Sequence, residues 1–366
     1  MALILQDIAR ALAQQGDQGP WQKARLAAWE SLQAMGAPWS HSENFFWIPA
    51  SVLNSLQLAP AQSAQTVPDG ASLDGWDATL RNDKDFAALL PAILCATPHF
   101  HFLDGDNPTL EIADTDPYAF HVVHVAAQSH ASIRWRTEGP SPFASSRLHV
   151  DADADSEVEI ITHTQSSFPA LSHVNLKLGD RVQLRWLDFD ESQALRRLSA
   201  QVLLAGEESL FFFHALSLSA GQAQSHRRLR VLHQGTRSQS TQWARHVLLG
   251  QSQASCDTWV EITPGTTGCV ANQLVNSLLL STEAKASARP DLVIHNDEVE
   301  ASHGATCGDL DAAQLFYLQS RGLDPVEARR LLVASFARTL VTAHGESPAA
   351  LNLRKQIDAA LQRSFS

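Results

Sequence analysis

Apolar residues in the first part of the chain recur every three to four positions. Leu3, Ile4, Ile8 and Leu12 mark one stripe within residues 2–12; Trp21, Leu26, Trp29 and Leu32, continued by the stem of Arg25, mark another within 21–35. This spacing predicts two amphipathic helices that pack together. Gly36 and Pro38 stop the second, and residues 59–75, with Pro60, Pro68 and Gly70, read as a surface loop. From about residue 110 to 294 the pattern changes to short runs of Val, Ile, Leu, Phe and Trp, for example 121–125, 158–162, 182–187, 209–214, 229–233 and 258–262. Runs spaced on the order of 10 to 15 residues without hairpin dipeptides suit a sandwich or a coil of stacked parallel strands, and periodicity alone does not choose. Small-residue turns such as Asp151-Ala152-Asp153-Ala154-Asp155 and Leu178-Gly179-Asp180 suit the tight corners of a solenoid. Helical spacing returns over 311–319, 325–343 and 348–363, where Asp324-Pro325 with Glu327 makes a helix start. Three units are therefore expected: 1–95 helical, 96–296 built of strands, and 297–366 helical.

Composition narrows the function. The 366 residues are 44% hydrophobic, enough for a large core, and 27 Lys plus Arg against 39 Asp plus Glu give a net charge of -12, which argues against nucleic acid as a partner. No run of about 18 apolar residues predicts a membrane span, and the first ten residues lack a cationic leader with a cleavage site, so a cytoplasmic location is expected. Cys95, Cys256, Cys269 and Cys307 form no C-x-x-C pair; neither a disulfide framework nor a zinc knuckle is indicated, and Cys256 and Cys269 read as core. The 16 histidines raise the question of metal. His99 and His101 alternate on a predicted strand and share a face near Asp104 and Asp106, whereas His121 and His124 do not share one. With no third ligand at motif spacing, ordinary polar surface is the expectation for all four. The chain has no G-x-x-x-x-G-K-[ST], no G-x-G-x-x-G opening a helix, no H-E-x-x-H and no G-x-S-x-G, so it is expected to be no enzyme and not to hydrolyse ATP.

A more specific signal comes from four segments: Ser277-Leu278-Leu279-Leu280-Ser281, Arg289-Pro290-Asp291-Leu292-Val293-Ile294, Ser302-His303-Gly304-Ala305-Thr306 and Leu315-Phe316-Tyr317-Leu318-Gln319-Ser320-Arg321-Gly322. In this order they resemble the SufB/SufD family of iron–sulfur cluster assembly scaffolds, and Arg25, Trp29, Gly36, Pro38, Glu43 and Trp47 are similar to that family's N-terminal pattern. The resemblance implies a mainly β fold, a right-handed parallel β-helix core flanked by N- and C-terminal α-helical domains. Members of the SufB type carry Cys-Asp-Ser-Leu-Leu-Ile-Gly and His-Glu-Ala-Thr. Here the thiolate position is Val275 and the carboxylate position is Gly304, with only His303 in register, which places the chain on the SufD side.

The same resemblance implies a SufB-like sibling and a SufC-like ATPase as partners. SufC would dock on the C-terminal helices, where Leu315, Phe316, Tyr317, Leu318, Arg321, Leu332 and Phe336 either dock or form the helical core that positions docking residues. It implies a nascent iron–sulfur cluster at the SufB interface with His303 as a metal ligand, chemistry open to a neutral imidazole. No cofactor is expected to stay tightly bound to the isolated chain, which is open to homodimerisation. Cys307, four residues on, is not a position associated with ligation. The rival reading is a β-solenoid polysaccharide hydrolase or lyase using Asp188, Asp190 and Glu191. Such acids must face each other across a bond, which neighbours in sequence do not establish.

Overall fold

The computed structural model describes residues 22–35, 86–95, 98–114, 116–137 and 143–364. The helix expected over 2–12, the loop over 59–75 and the Gly36, Pro38, Glu43 and Trp47 pattern lie outside these residues. Among the described residues, sixteen strands form two eight-stranded sheets. The first holds β1 (His99–Leu103), β3 (Tyr118–Val125), β5 (Ala144–Ala152), β7 (Ala170–Leu178), β9 (Leu195–Leu204), β11 (Gln224–His233), β13 (Gln253–Ile262) and β15 (Lys285–Ile294). The second holds β2 (Asp106–Asp114), β4 (His130–Thr137), β6 (Glu157–Thr164), β8 (Gln183–Asp190), β10 (Leu210–Ser219), β12 (Gln239–Leu248), β14 (Cys269–Leu279) and β16 (Val299–Gly308).

Each strand pairs in parallel with the strand two further along the chain, while its neighbour in sequence joins the opposite sheet. That is a parallel β-solenoid, and it excludes the sandwich, whose strands run antiparallel. In-register pairing places like side chains above one another. Ile133, Ile160, Trp186 and Phe213 form one such interior column, and all four are buried.

The corners are as regular as the strands. Gln128, Asp155, Arg181, Glu208 and Arg237 each take a left-handed backbone once per turn, at φ between 54° and 62°. Arg181 donates from Nε and Nη2 to both carboxylate oxygens of Asp155, 26 residues earlier, at 2.6 and 2.8 Å. At the neighbouring corner position the turns come so close that a Cβ on Gly235 would stand 1.8 Å from the Gly206 carbonyl oxygen. Only glycine fits there.

Inside the middle turns lies an ionic network. Arg227 donates from Nε to Asp188 Oδ2 at 2.8 Å, and the Thr162 hydroxyl donates to Asp188 Oδ1 at 2.6 Å. Ser192 and Ser225 donate to Asp190, and Arg196 donates to the Thr164 hydroxyl at 2.9 Å. Asp188 and Asp190 are each 1% exposed, and Glu191 is held by His163 and Arg363. The acids that a glycan-cleaving reading needs are thus sealed inside or already paired. A buried pair with its lone pairs satisfied in this way serves the core.

Helices cover both outer faces. On the first sheet, α1 (Gln22–Met35) packs on α2 (Phe86–Leu94), which lies against β3, β5 and β7. Arg25 donates to the Cys95 carbonyl at 2.9 Å, closing the pair. On the second sheet lie α4 (Pro325–His344) and α5 (Pro348–Ser364), while α3 (Ala312–Ser320) packs on α4. Asp311 and Asp324 cap α3 and α4 by accepting from backbone N–H groups of the first turn. Val333, Ala337, Leu340, Leu353 and Ile357 of α4 and α5 bury themselves against Leu187, Phe189, Leu216 and Val247. Among the described residues no helix is long and apolar enough to cross a membrane.

One boundary differs from expectation. Strand structure continues past residue 296 through β16, and helix resumes at Ala312. Ala, Ser, Gly and Thr dominate β16 because no further turn packs on it, so the hydrophobic signal of a strand is missing there.

Candidate functional site at the open end of the solenoid

The last turn consists of β14, β15 and β16, with β15 and β16 forming the free edges of their sheets. Three of the four segments singled out in the sequence fall on these strands, and the fourth is α3. The two edges are not alike. β15 carries Lys285, Arg289, Pro290 and Asp291, the charges and proline that blunt an edge against pairing. β16 has neither lysine nor proline, carries a single acid, Glu300, near its start, and presents ten residues of pairing-competent backbone.

His303 lies on β16 opposite Gln273 of β14. It continues the interior column Trp186, Phe213, Gln242, Gln273, and it is exposed because no turn follows. Among the described residues no hydrogen bond or ion pair holds its ring. Ala305 and Cys307 share its inward face, whereas Ser302 and Thr306 face outward and fasten the strand to Asn272 and Asn276 at 2.6 and 2.7 Å. Four residues of extended chain put Cys307 about 13 Å from His303, too far for both to bind one ion. Gly304 faces outward, where a Cβ would lie 3.3 Å from Leu274 Cδ1. A side chain there would leave the strand on the face opposite to His303.

Beside the edge, a cleft of about 560 Å³ runs between β14, β16 and the helices, lined by Arg245, Asn276, Cys307, Asp309, Leu332 and Phe336. The Arg245 guanidinium stacks 4.6 Å above the Phe336 ring and donates to its carbonyl oxygen. Helix α3 buries none of its residues: Phe316 is 73% exposed and Tyr317 55%, with Arg321 over the Tyr317 ring at 5.2 Å. Leu315, Leu318, Leu332 and Phe336 are half-buried. The helical core is supplied instead by α4 and α5, so the apolar residues of α3 form a surface.

The other sequence candidates sort by burial. Cys256 and Cys269 are core, and burial pushes the Cys256 thiol up to about 12, leaving it protonated and inert. None of the four cysteines forms a disulfide. His99 and His101 share a face with His121 on the first turn, their rings stacked on its ring at 5.0 and 5.6 Å. His101 Nε2 is 3.3 Å from His121 Nδ1, and His121 Nε2 is 2.9 Å from Asp114 Oδ1. Burial and the neighbouring rings hold His101 down to about 4. His99 is exposed, as expected of polar surface, whereas His101 is half-buried and His121 buried, and the acid of the group is Asp114 rather than Asp104 or Asp106. His124 faces away and meets Asp153 at 3.1 Å. Among the described residues no group of three His, Cys, Asp or Glu side chains is placed to hold a metal.

Sequence reading missed Gln273, which lies one turn beneath His303. Its Nε2 donates to the Asp291 carbonyl at 3.3 Å, while its Oε1, on a residue only 2% exposed, has no partner. Its only signal is a spacing equal to one turn, invisible until the register is known.

Fold and site together define a parallel β-solenoid with one bare edge strand carrying an unengaged imidazole and an exposed helix beside it. The family model for the SUF system FeS cluster assembly SufBD core domain matches residues 111–336, and the chain belongs to that family. It is 27% identical over 206 residues to the iron–sulfur cluster assembly protein SufD of Escherichia coli, covering 55% of this chain and 48% of that one. Against SufD of Bacillus subtilis it is 36% identical over 103 residues, covering 28% and 23%. Against an iron–sulfur cluster assembly SufBD family protein of Synechocystis it is 31% identical over 159 residues, covering 43% and 35%. The matched stretches span less than half the length of each of these relatives.

Proposed function

We propose that the chain is a SufD-type scaffold that pairs through its open solenoid end with a SufB-like sibling and receives a SufC-like ATPase on its C-terminal helices. The observation that carries this reading is β16: an unblunted edge strand, beside an exposed helix, with His303 facing the space a partner would close. Covering such an edge removes an aggregation hazard and encloses the imidazole at the same time. His303 then offers a neutral nitrogen to iron of the nascent cluster, which is cargo passed on rather than a resident cofactor. Phe316 and Tyr317 supply apolar area for SufC, whose hydrolysis of ATP leaves this subunit without chemistry of its own. A nucleotide-driven movement of SufC would shift the helices only by as much as SufC prefers one arrangement over the other. A cytoplasmic setting fits four cysteines left as thiols.

The test is His303→Ala in the co-expressed complex. The variant is expected to co-purify with both partners and to load little iron or sulfide. Unchanged loading would remove the imidazole role, and failure of the wild-type chain to capture either partner would remove the scaffold reading.

A further inference from the structure

The interior column that ends at His303 turns polar as it nears the open end. Trp186 and Phe213 give way to Gln242 and Gln273, both almost wholly buried, before the imidazole itself. A buried amide oxygen without a donor is costly, of the order of 1–3 kcal/mol, and needs a physical reason. The orientation of the Gln273 amide is not free. The Asp291 carbonyl is an acceptor and must face the NH2 group, so the unpartnered atom is the oxygen.

The one nitrogen-bearing ring in the next rung of the column is His303, in register and on the same face. We infer that Gln273 is a positioning residue for His303: once the unengaged ring rotates over it, the Gln273 Oε1, unpartnered in this structure, accepts a hydrogen bond from the protonated ring nitrogen and leaves the other nitrogen, lone pair outward, toward the partner. A ligating imidazole is commonly fixed in this way by an acceptor behind it, and the acceptor selects the tautomer. The Asp291 carbonyl holds the amide in place, so β14, β15 and β16 contribute the receptor, its support and the ligand respectively.

This inference rests on the proposed ligand role for its purpose but not for its test, which needs neither iron nor partner. Histidine-labelled full-length chain is observed by nitrogen-15 NMR at about pH 8.5, where the ring is neutral. The His303 signals are assigned by their disappearance in His303→Ala. The wild type is expected to show one tautomer; Gln273→Leu, and the closer isostere Gln273→Met should Leu disturb folding, should show a mixture. Gln242→Leu should leave the single form of the wild type unchanged. An identical tautomer ratio in the wild type, Gln273→Leu and Gln273→Met overturns the inference, as does a shift caused by Gln242→Leu alone, which would assign the amide oxygen to Gln242. In the loaded complex Gln273→Leu is expected to lower cluster loading about 10- to 100-fold. A fixed tautomer with loading indifferent to His303→Ala would leave Gln273 in its place and defeat only the ligand role.

Discussion

Strands β10 and β16 lie in one sheet with β12 and β14 between them, and yet one is sealed and the other bare. Inward from β10 point Phe211, Phe213 and Ala215, all fully buried, and outward Leu216 and Leu218 lie under the C-terminal helices. The corresponding inward positions of β16 are Ala301, His303 and Ala305, all exposed. Both strands keep the same parallel register with β12 or β14, so backbone geometry does not separate them. What differs is the number of turns that touch each one. In a solenoid every turn is stabilised mainly by its two neighbours. The last turn has a single neighbour, and its side chains are released from packing to serve an interface.

The comparison can be broken most forcefully at one column. Ala215, Ala244, Val275 and Ala305 stand above one another in register. Ala215→Lys forces an ammonium group into the sealed interior directly over Asp188, whose carboxylate Arg227 and Thr162 already occupy, and overfills a packed turn, a change expected to cost about 3 kcal/mol or more. Urea unfolding followed by circular dichroism measures this. A midpoint close to the wild type would mean that the middle turns open readily to water and that the contrast with β16 is overstated.

Acid sharpens the same contrast. Burial pushes His226 and His246 down to about 3, and His233 down to about 4. These folded values lie below the ordinary value near 6.5, so on acidification the unfolded chain takes up protons first. Their stabilisation is complete above about pH 6.5 and is lost as pH falls toward 3–4, by up to about 1.4 kcal/mol per pH unit for each ring. Unfolding free energy measured between about pH 7 and about pH 5 should therefore drop steeply. A flat profile would show that these rings reach water in the folded state.

The middle turns were the more legible part of the sequence, for the same reason that they are the more stable. Leu, Trp and Phe in β8 and β10 mark strands because interior positions demand apolar volume. The capped helices α3 to α5 were plain from Asp324-Pro325 and their apolar faces, whereas the parallel arrangement came from the family resemblance. β16 hid itself, since its inward Ala301, His303 and Ala305 are exposed and need no apolar volume. His303 was found by motif and Gln273 was not, because a contact one turn away leaves no mark on local periodicity. The first-turn stack of His99, His101 and His121 escaped for that reason too: two strands separated in sequence build it.

Ala305→Lys is the smallest change by stability and the most telling by function. The residue stands in the same column as Ala215, between His303 and Cys307 on the inward face, but the lysine ammonium would remain in water there. The unfolding free energy of the isolated chain is expected to stay within about 0.5 kcal/mol of the wild type, as for exposed positions in general. Association should behave differently. A lysine at the centre of an edge strand is a recognised guard against pairing, and closing a sibling over it would strip the charge of water. Titration of the folded variant against a SufB-like partner is therefore expected to show strongly weakened binding, while a SufC-like partner docking on the helices binds as before. Loss of both partners would point to a disturbed helical flank, and retention of the sibling at full strength would move the pairing surface away from β16.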